Sequence, residues 1–178
     1  LFLNVFAPAD GLRSNSQLPI LVWFHGGSYM GGSGDLQSGV PFYDGKRMCE
    51  TGIGGDPDLA AVIVTVNYRL GIFGFLAHEA LLRQENTAGN MGIQDQRKAL
   101  RWVQDNAAFF GGDPSRVTIF GESAGAASVA THLTTARSAP LFAAGVMQSG
   151  GFWVSPFNAS VAHSATVVSD VCNDTLSG

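Results

Sequence analysis

The sequence has few charged side chains. Only 13% of its residues are Asp, Glu, Lys or Arg, whereas 46% are hydrophobic, and soluble domains average about 25% charged residues. A small domain with so little charge has few groups with which to cover its surface. The composition therefore resembles the interior of a larger structure.

Basic clusters and long apolar runs are also missing, and each absence excludes a class of partner. The 10 Lys and Arg residues form no cluster and the net charge is −4, which argues against nucleic acid as a partner. The longest apolar run, AAVIVTV at 60–66, is far shorter than the roughly 20 residues that span a bilayer. We predict neither nucleic-acid binding nor a transmembrane segment.

An initiator methionine is missing too, because the chain begins at Leu1 inside the strand-like segment LFLNVFAP. No signal peptide is visible, but a start inside structure makes that absence uninformative. We therefore expect 1–178 to be a fragment.

Cysteine is scarce. Cys49 and Cys172 can pair with each other, stay free or pair with cysteines elsewhere. Asn158 and Asn173 begin the sequons NAS and NDT, so both are glycosylation candidates. A sequon directly after Cys172 favours a secreted, oxidising setting, and we predict a secreted glycoprotein.

Apolar strands alternate with amphipathic helices along the chain. The predicted strands are LFLNVFAP (1–8), LPILVWFHGG (18–27), AAVIVTVNYR (60–69), RVTIFGES (116–123) and FAAGVMQSGG (142–151). The predicted helices are 90–110, with apolar residues Ile93, Leu100, Val103, Ala107 and Phe110 and a stop at Gly111; 123–135, beginning at the serine; and 159–172, with Val161, Ala165, Val168 and Cys172 on one face. This alternation predicts an α/β fold with a mostly parallel sheet flanked by helices on both faces.

The segment GESAG, residues 121–125, lies where a predicted strand turns into a predicted helix. A serine acts as a nucleophile when it stands clear of the backbone on a sharp turn, and glycine on either side permits that turn. Gly121 and Gly125 meet this need, and the helix N-terminus stabilises a developing anion. The strand–turn–helix context predicts Ser123 as a nucleophile.

The segment HGGSYMGG, residues 25–32, follows another predicted strand. Glycine-rich backbone presents N–H groups to a tetrahedral oxyanion without side-chain obstruction. A glycine-rich loop of this kind commonly complements a nucleophile on such a turn. A plain glycine turn is the alternative, and the order of the two motifs argues against it.

The segments HGGSYMGGSG, VNYRLGIFGFL, the run from Asn90 to Gly125 and the later MQSG together resemble the type-B carboxylesterase/lipase family. That family includes cholinesterases, bacterial carboxylesterases and secreted fungal lipases. The resemblance extends from LFLNVFAP to about Cys172, and the segment 155–172 is most similar to the secreted fungal members. It implies an α/β-hydrolase fold, of which 1–178 would be the N-terminal half.

The resemblance also implies a role for each site residue. Ser123 would be the acyl-forming nucleophile, and the backbone N–H groups of Gly27, Ser28 and Ala124 would form the oxyanion hole. Gly26 would shape the loop and His25 would brace it. Glu122 would lie beside the nucleophile, hydrogen-bonded towards Ser149. Cys172 resembles the first member of a disulfide whose partner lies beyond Gly178, and Cys49 matches no expected cysteine.

A catalytic acid and base are not evident in the sequence. In this fold the acid and then the histidine follow the serine, but His25 and His78 precede it. His132 lies about 13 Å further along the same helix, and no Asp or Glu occurs between Ala124 and His163. We therefore interpret His132 and His163 as ordinary helix residues and expect the acid and base beyond Gly178.

The sequence thus predicts a serine hydrolase that cleaves carboxylic esters, with a small-molecule or lipid ester as substrate. We expect no cofactor and no metal, and the oligomeric state stays open. The aromatic side chains of Tyr29, Phe73 and Trp153 could line a substrate gorge or pack in the core. A non-catalytic binding protein on the same fold is the alternative, although such proteins often lack the nucleophile that is intact here.

Overall fold

A computed structural model describes residues 1–9, 16–37, 40–41 and 43–176. The strands are β1 (Leu3–Phe6), β2 (Leu18–Phe24), β3 (Leu36–Gln37), β4 (Val40–Pro41), β5 (Val62–Val66), β6 (Gly112–Glu122) and β7 (Ala144–Gln148). The helices are α1 (Lys46–Thr51), α2 (Gly71–Phe75), α3 (Glu79–Glu85), α4 (Met91–Asn106), α5 (Ala124–Thr134) and α6 (Phe157–Leu176). Short 3₁₀ turns occupy Ile53–Gly55, Pro57–Leu59, Ala107–Phe110 and Ala139–Leu141.

Five strands form one mixed sheet in the order β1-β5-β2-β6-β7. β1 pairs with β5 antiparallel, whereas β5, β2, β6 and β7 are parallel. In this register Phe24 of β2 pairs with Gly121 of β6, and Glu122 of β6 pairs with Gln148 of β7. Parallel strands bring their carboxyl ends to one edge of a sheet, so the segments after β2, β6 and β7 meet there.

The main core lies between one face of this sheet and helices α4 and α5. Leu100 and Val103 of α4 and Val129 of α5 are buried against the sheet residues Val22 and Ile119. A smaller cluster on the opposite face joins Cys49 of α1 to Ala61 and Ile63. Continuous apolar strands such as β5, buried at all five residues, are typical of a sheet that is covered on both faces.

The predicted α/β fold with a mostly parallel sheet is confirmed. α4 and the 3₁₀ turn after it end at Gly111, whose φ of 74° is the left-handed conformation that glycine adopts readily. α5 begins at Ala124 with Ser123 as its N-cap, one residue later than predicted.

All five residues of β7, at the edge of the sheet, are exposed. Of the apolar residues predicted at helical steps in α6, Val161 and Val168 are half-buried and Ala165 is exposed, and Ser164 is buried. The Ser164 hydroxyl accepts a hydrogen bond from the Ala77 N–H at 3.2 Å.

Among the described residues, no helix has both the length and the apolarity that a membrane span requires.

Candidate active site

Ser123 lies at the junction of β6 and α5 in a strained backbone conformation. Its φ is 54° and its ψ is −116°, which residues other than glycine rarely adopt. Although Ser123 is the N-cap of α5, its side chain makes no capping hydrogen bond. The turn therefore projects the hydroxyl away from the helix end, as a nucleophile requires.

The glycines around Ser123 permit close packing of backbone on backbone. A Cβ at Gly125 would overlap the carbonyl of Phe24, and a Cβ at Gly121 would lie 2.6 Å from the carbonyl carbon of Gly125. α5 thus begins directly on the end of β2. This approach holds the serine beside the loop that follows β2.

That loop carries three consecutive residues with positive φ. The φ values are 104° at Gly27, 53° at Ser28 and 60° at Tyr29. The Gly27 carbonyl accepts hydrogen bonds from the N–H groups of Met30, at 2.9 Å, and Gly31, at 3.1 Å. Gly27 and Ser28 are exposed, so their surface is open to a ligand.

Gly26 brings the loop against the serine. A Cβ on Gly26 would lie 3.3 Å from the Ser123 Cβ and 2.8 Å from a carboxylate oxygen of Glu122. The structure therefore brings the glycine loop and the strained turn together, as the sequence predicted.

His25 holds the base of this loop. Its Nδ1 lies 2.8 Å from the carbonyl of Gly26, and its ring stacks on Tyr68 at a centroid distance of 4.4 Å. The Tyr68 hydroxyl donates to the His25 carbonyl at 2.6 Å. Burial lowers the pKa of His25, and since a carbonyl can only accept, Nδ1 donates to Gly26.

The segment after β7 closes the other side of the turn. The Ser123 N–H donates to the carbonyl of Gln148 at 2.9 Å, and Gly150 lies against the Ser123 carbonyl and Ala126. Within the described part of the chain, no hydrogen bond joins Glu122 to Ser149, and their pairing stays a prediction. The Glu122 carboxylate lies beside Gly26.

The three remaining histidines lie elsewhere. His78 accepts a hydrogen bond from the Ala80 N–H at the start of α3, and His163 is exposed on α6. His132 is fully buried, with Ser138 2.9 Å from its Nδ1 and Gln96 3.1 Å from its Nε2. Of the hydrogen bonds between described residues, none joins a histidine to Ser123.

Buried polar residues near the turn were missed by the sequence reasoning. Gln96 of α4 and Ser128 of α5 are both 0% exposed and hydrogen-bond to each other at 2.9 Å. The sequence does indicate that Gln96 is buried, because it lies three residues after Ile93 and four before Leu100, inside the apolar face of its helix. A polar side chain in such a stripe needs a buried partner.

Aromatic residues line a cleft of about 440 Å³ beside the loop. Tyr29, Phe75, Trp153 and Phe157 are among its walls. Trp153 is 62% exposed and Phe73 is 75% exposed, so neither packs in the core. Of the three aromatic residues considered as gorge-lining residues from the sequence, Tyr29 and Trp153 line this cleft and Phe73 does not.

The predicted modification sites are only partly described. Asn158 is exposed at the start of α6. Cys49 is a buried, free cysteine, and burial raises the pKa of its thiol. Cys172 and Asn173 lie in the last part of α6, outside the residues whose side chains the structure describes.

Comparisons with known proteins give a consistent picture. Residues 1–171 match the model of a family described as the carboxylesterase family. The chain is 42% identical over 153 residues to a fumonisin B1 esterase of Sphingopyxis macrogoltabida, covering 85% of this chain and 26% of that protein. It is 45% identical over 158 residues to lipase 2 of Geotrichum candidum, again covering 85% and 26%. The fungal and bacterial relatives match about equally well, so the predicted likeness to fungal members stays a prediction.

A solved structure extends the likeness to the fold. A carboxylesterase of Geobacillus stearothermophilus is 40% identical, with a TM-score of 0.81 over 94% of this chain and 33% of that chain. The chain thus spans about a quarter of the length of these curated relatives.

Proposed function

The chain belongs to the carboxylesterase family, and from that premise we propose that it is part of a serine hydrolase that cleaves carboxylic esters through Ser123. The observation that carries the proposal is the strained backbone of Ser123 directly beside the glycine loop. Backbone strain is retained where function needs it, and the α/β-hydrolase fold holds its nucleophile on such a turn.

The proposed reaction proceeds in two halves. Ser123 Oγ attacks the ester carbonyl carbon while a general base takes its proton, and the carbonyl oxygen becomes an oxyanion. Collapse then expels the alcohol, which receives that proton, and leaves the acyl group on Ser123. A water molecule attacks the acyl-enzyme in the same way and releases the carboxylic acid.

The proposed oxyanion hole uses the backbone N–H groups of Gly27, Ser28 and Ala124. The exposed loop surface at Gly27 and Ser28 supports this, as does the position of Ala124 at the N-terminus of α5. N–H groups at a helix start are unpaired and favour an anion. Glu122, beside Gly26, adds a carboxylate that stabilises a protonated base nearby.

We further propose that the acid and base come from polypeptide beyond residues 1–178. His25 and His132 are buried, and both have their pKa lowered by that burial. His78 is the N-cap of α3 and His163 lies on α6, and among the described residues neither is hydrogen-bonded to Ser123. The length of the relatives, about four times that of the matched region, supports a longer parent protein.

The secretory setting also stays a proposal. Asn158 is exposed and open to glycosylation, and we propose glycosylation there and at Asn173. A disulfide from Cys172 to a cysteine beyond Gly178 completes this part of the proposal. The substrate proposed is a small-molecule or lipid ester, which the apolar walls of the cleft beside Tyr29 support.

Ser123→Ala in the full-length protein tests the proposed function. We expect hydrolysis of p-nitrophenyl butyrate to fall by at least about 10⁴-fold, because removing a nucleophile of this type costs that much. A fluorophosphonate probe should label the wild type and not the variant. Ser115→Ala, at an exposed position near the start of β6 and so at the opposite end of that strand from Ser123, serves as the matched serine control and should keep the label. Full activity of Ser123→Ala would refute the proposal.

A further inference from the structure

The hydroxyl of Ser128 joins the two segments that carry the proposed oxyanion hole. Ser128 lies one helical turn after Ala124 and donates a hydrogen bond to the Ala124 carbonyl at 3.0 Å. Its Oγ is also 3.2 Å from the hydroxyl of Tyr29, the residue after Ser28. One side chain thus contacts both the start of α5 and the glycine loop.

The proton directions in this cluster are determined by its chemistry. The carboxamide oxygen of Gln96 can only accept, so His132 donates to it from Nε2 at 3.1 Å. Ser138 then donates to His132 Nδ1 at 2.9 Å. Gln96 Nε2 donates to Ser128 at 2.9 Å.

The last proton direction follows from Ser128 itself. A hydroxyl has one proton, and that of Ser128 goes to Ala124. Tyr29 must therefore donate to Ser128. Each donor in this series of hydrogen bonds has one acceptor. Displacing any one of these side chains therefore breaks at least one hydrogen bond.

Burial makes such a loss costly. Gln96, Ser128 and His132 are all 0% exposed, and an unpaired polar group in the interior loses its full hydration. The Tyr29 ring is also held from the side by Phe75 at a centroid distance of 4.6 Å. The cluster therefore holds the Tyr29 hydroxyl at a defined distance from the first turn of α5.

We propose that Ser128, held by Gln96 and His132, is a positioning residue that sets the separation between the glycine loop and Ala124. The inference rests on the proposed ester hydrolysis. A displacement of about 1 Å between catalytic groups can cost 10²-fold in rate. Ser128 does not touch the substrate and acts only through Tyr29 and Ala124.

Ser128→Ala and Tyr29→Phe, made separately and together in the full-length protein, test the inference. The measurements are kcat and KM for p-nitrophenyl butyrate, with kcat expressed per active site by burst titration, and Tm. We expect each single variant to lower kcat per site by about 10- to 100-fold. This decrease in kcat is smaller than the one caused by removing an oxyanion donor itself. KM should stay within about twofold of the wild-type value. The double variant should be no slower than Ser128→Ala, because both substitutions remove the same hydrogen bond between Tyr29 and Ser128.

Thr134→Val is the matched control. Thr134 lies on the same helix and its hydroxyl donates to the Ala130 carbonyl at 3.1 Å, but the described residues show no side-chain hydrogen bond from it to the loop. Its kcat per site should stay within about twofold of wild type. Titration of active sites separates this effect from a purely structural one, which would lower Tm and the number of active sites but not kcat per site.

The measurements distinguish a failure of the Ser128 inference from a failure of the proposed ester hydrolysis. If Ser123→Ala is inactive but Tyr29→Phe matches Thr134→Val in kcat per site, the inference is overturned and the ester hydrolysis stands. Tyr29→Phe decides this even where Ser128→Ala does not fold. A wild type that neither hydrolyses the ester nor labels at Ser123 would overturn both.

Discussion

Gly125 shows how packing can require a single residue type next to the proposed nucleophile. A methyl group there would overlap the carbonyl of Phe24, which belongs to the backbone of a central strand and cannot move aside. Overpacking in a core costs about 1–3 kcal/mol. We expect Gly125→Ala to lower the free energy of unfolding of the full-length protein by about 3 kcal/mol in urea titrations.

Gly151→Ala is the control for that experiment, because a Cβ there meets no atom within 4 Å. Its free energy of unfolding should stay within about 0.5 kcal/mol of wild type. Equal stability of Gly125→Ala and Gly151→Ala would contradict the packing argument.

His132 provides a pH prediction at the same scale. Burial, with a smaller contribution from Arg97, lowers the pKa of His132 to about 4, whereas an unfolded chain titrates near about 6.5. Between these values the unfolded state binds the proton and the folded state does not. Stability therefore falls as the pH is lowered, by about 3 kcal/mol between pH 7 and pH 4 from this group.

The His132→Gln variant isolates this effect from the carboxylates that titrate in the same range. We expect its free energy of unfolding to be lower at pH 7 but to change less between pH 7 and pH 4. Denaturant titrations at several pH values measure the difference between the two proteins. Parallel curves would show that His132 is not buried as a neutral group.

The residues of the site differ in how far the sequence predicts them. Ser123 and its glycines are readable because a sharp strand-to-helix turn needs those residue types in that order. The pairing of Gln96 with Ser128 cannot be predicted from the sequence, because it depends on how α4 and α5 pack.

At the scale of elements, β7 is the feature that stands out. All five of its residues are exposed, with Val146 at 48% and Met147 at 40%. An edge strand with apolar residues pairs readily with other chains. We propose that further polypeptide covers this strand in the parent protein.

Val146→Lys tests that proposal in two lengths of chain. In residues 1–178 alone, the lysine should reduce aggregation measured by light scattering. In the full-length protein it should lower the free energy of unfolding by at least about 2 kcal/mol, because burial of an unpaired charge is costly. A change of less than about 0.5 kcal/mol in the full-length protein would show that β7 is not covered.

At the scale of the whole molecule, the site holds the proposed nucleophile, Ser123, and no histidine hydrogen-bonded to it among the described residues. Three of the four histidines are hydrogen-bonded to groups other than Ser123, and the fourth is exposed on α6. We expect residues 1–178 alone to fold poorly and to hydrolyse p-nitrophenyl butyrate no faster than their own Ser123→Ala variant. Turnover and thermal melting of the two short chains measure this. A soluble, cooperatively melting and active product would contradict it.

The sequence by itself determined the five strands of the main sheet, the helices α4, α5 and α6, the α/β class, and the position of the serine between its two glycines. These features depend on local periodicity and on backbone conformations that few residue types adopt. Only the tertiary structure decided which strands are neighbours, that Gly26 lies against Ser123, and that β7 is exposed. It also decided that Ser128 joins the loop to α5. Such contacts join residues far apart in the chain, and packing, which no local pattern records, brings them together.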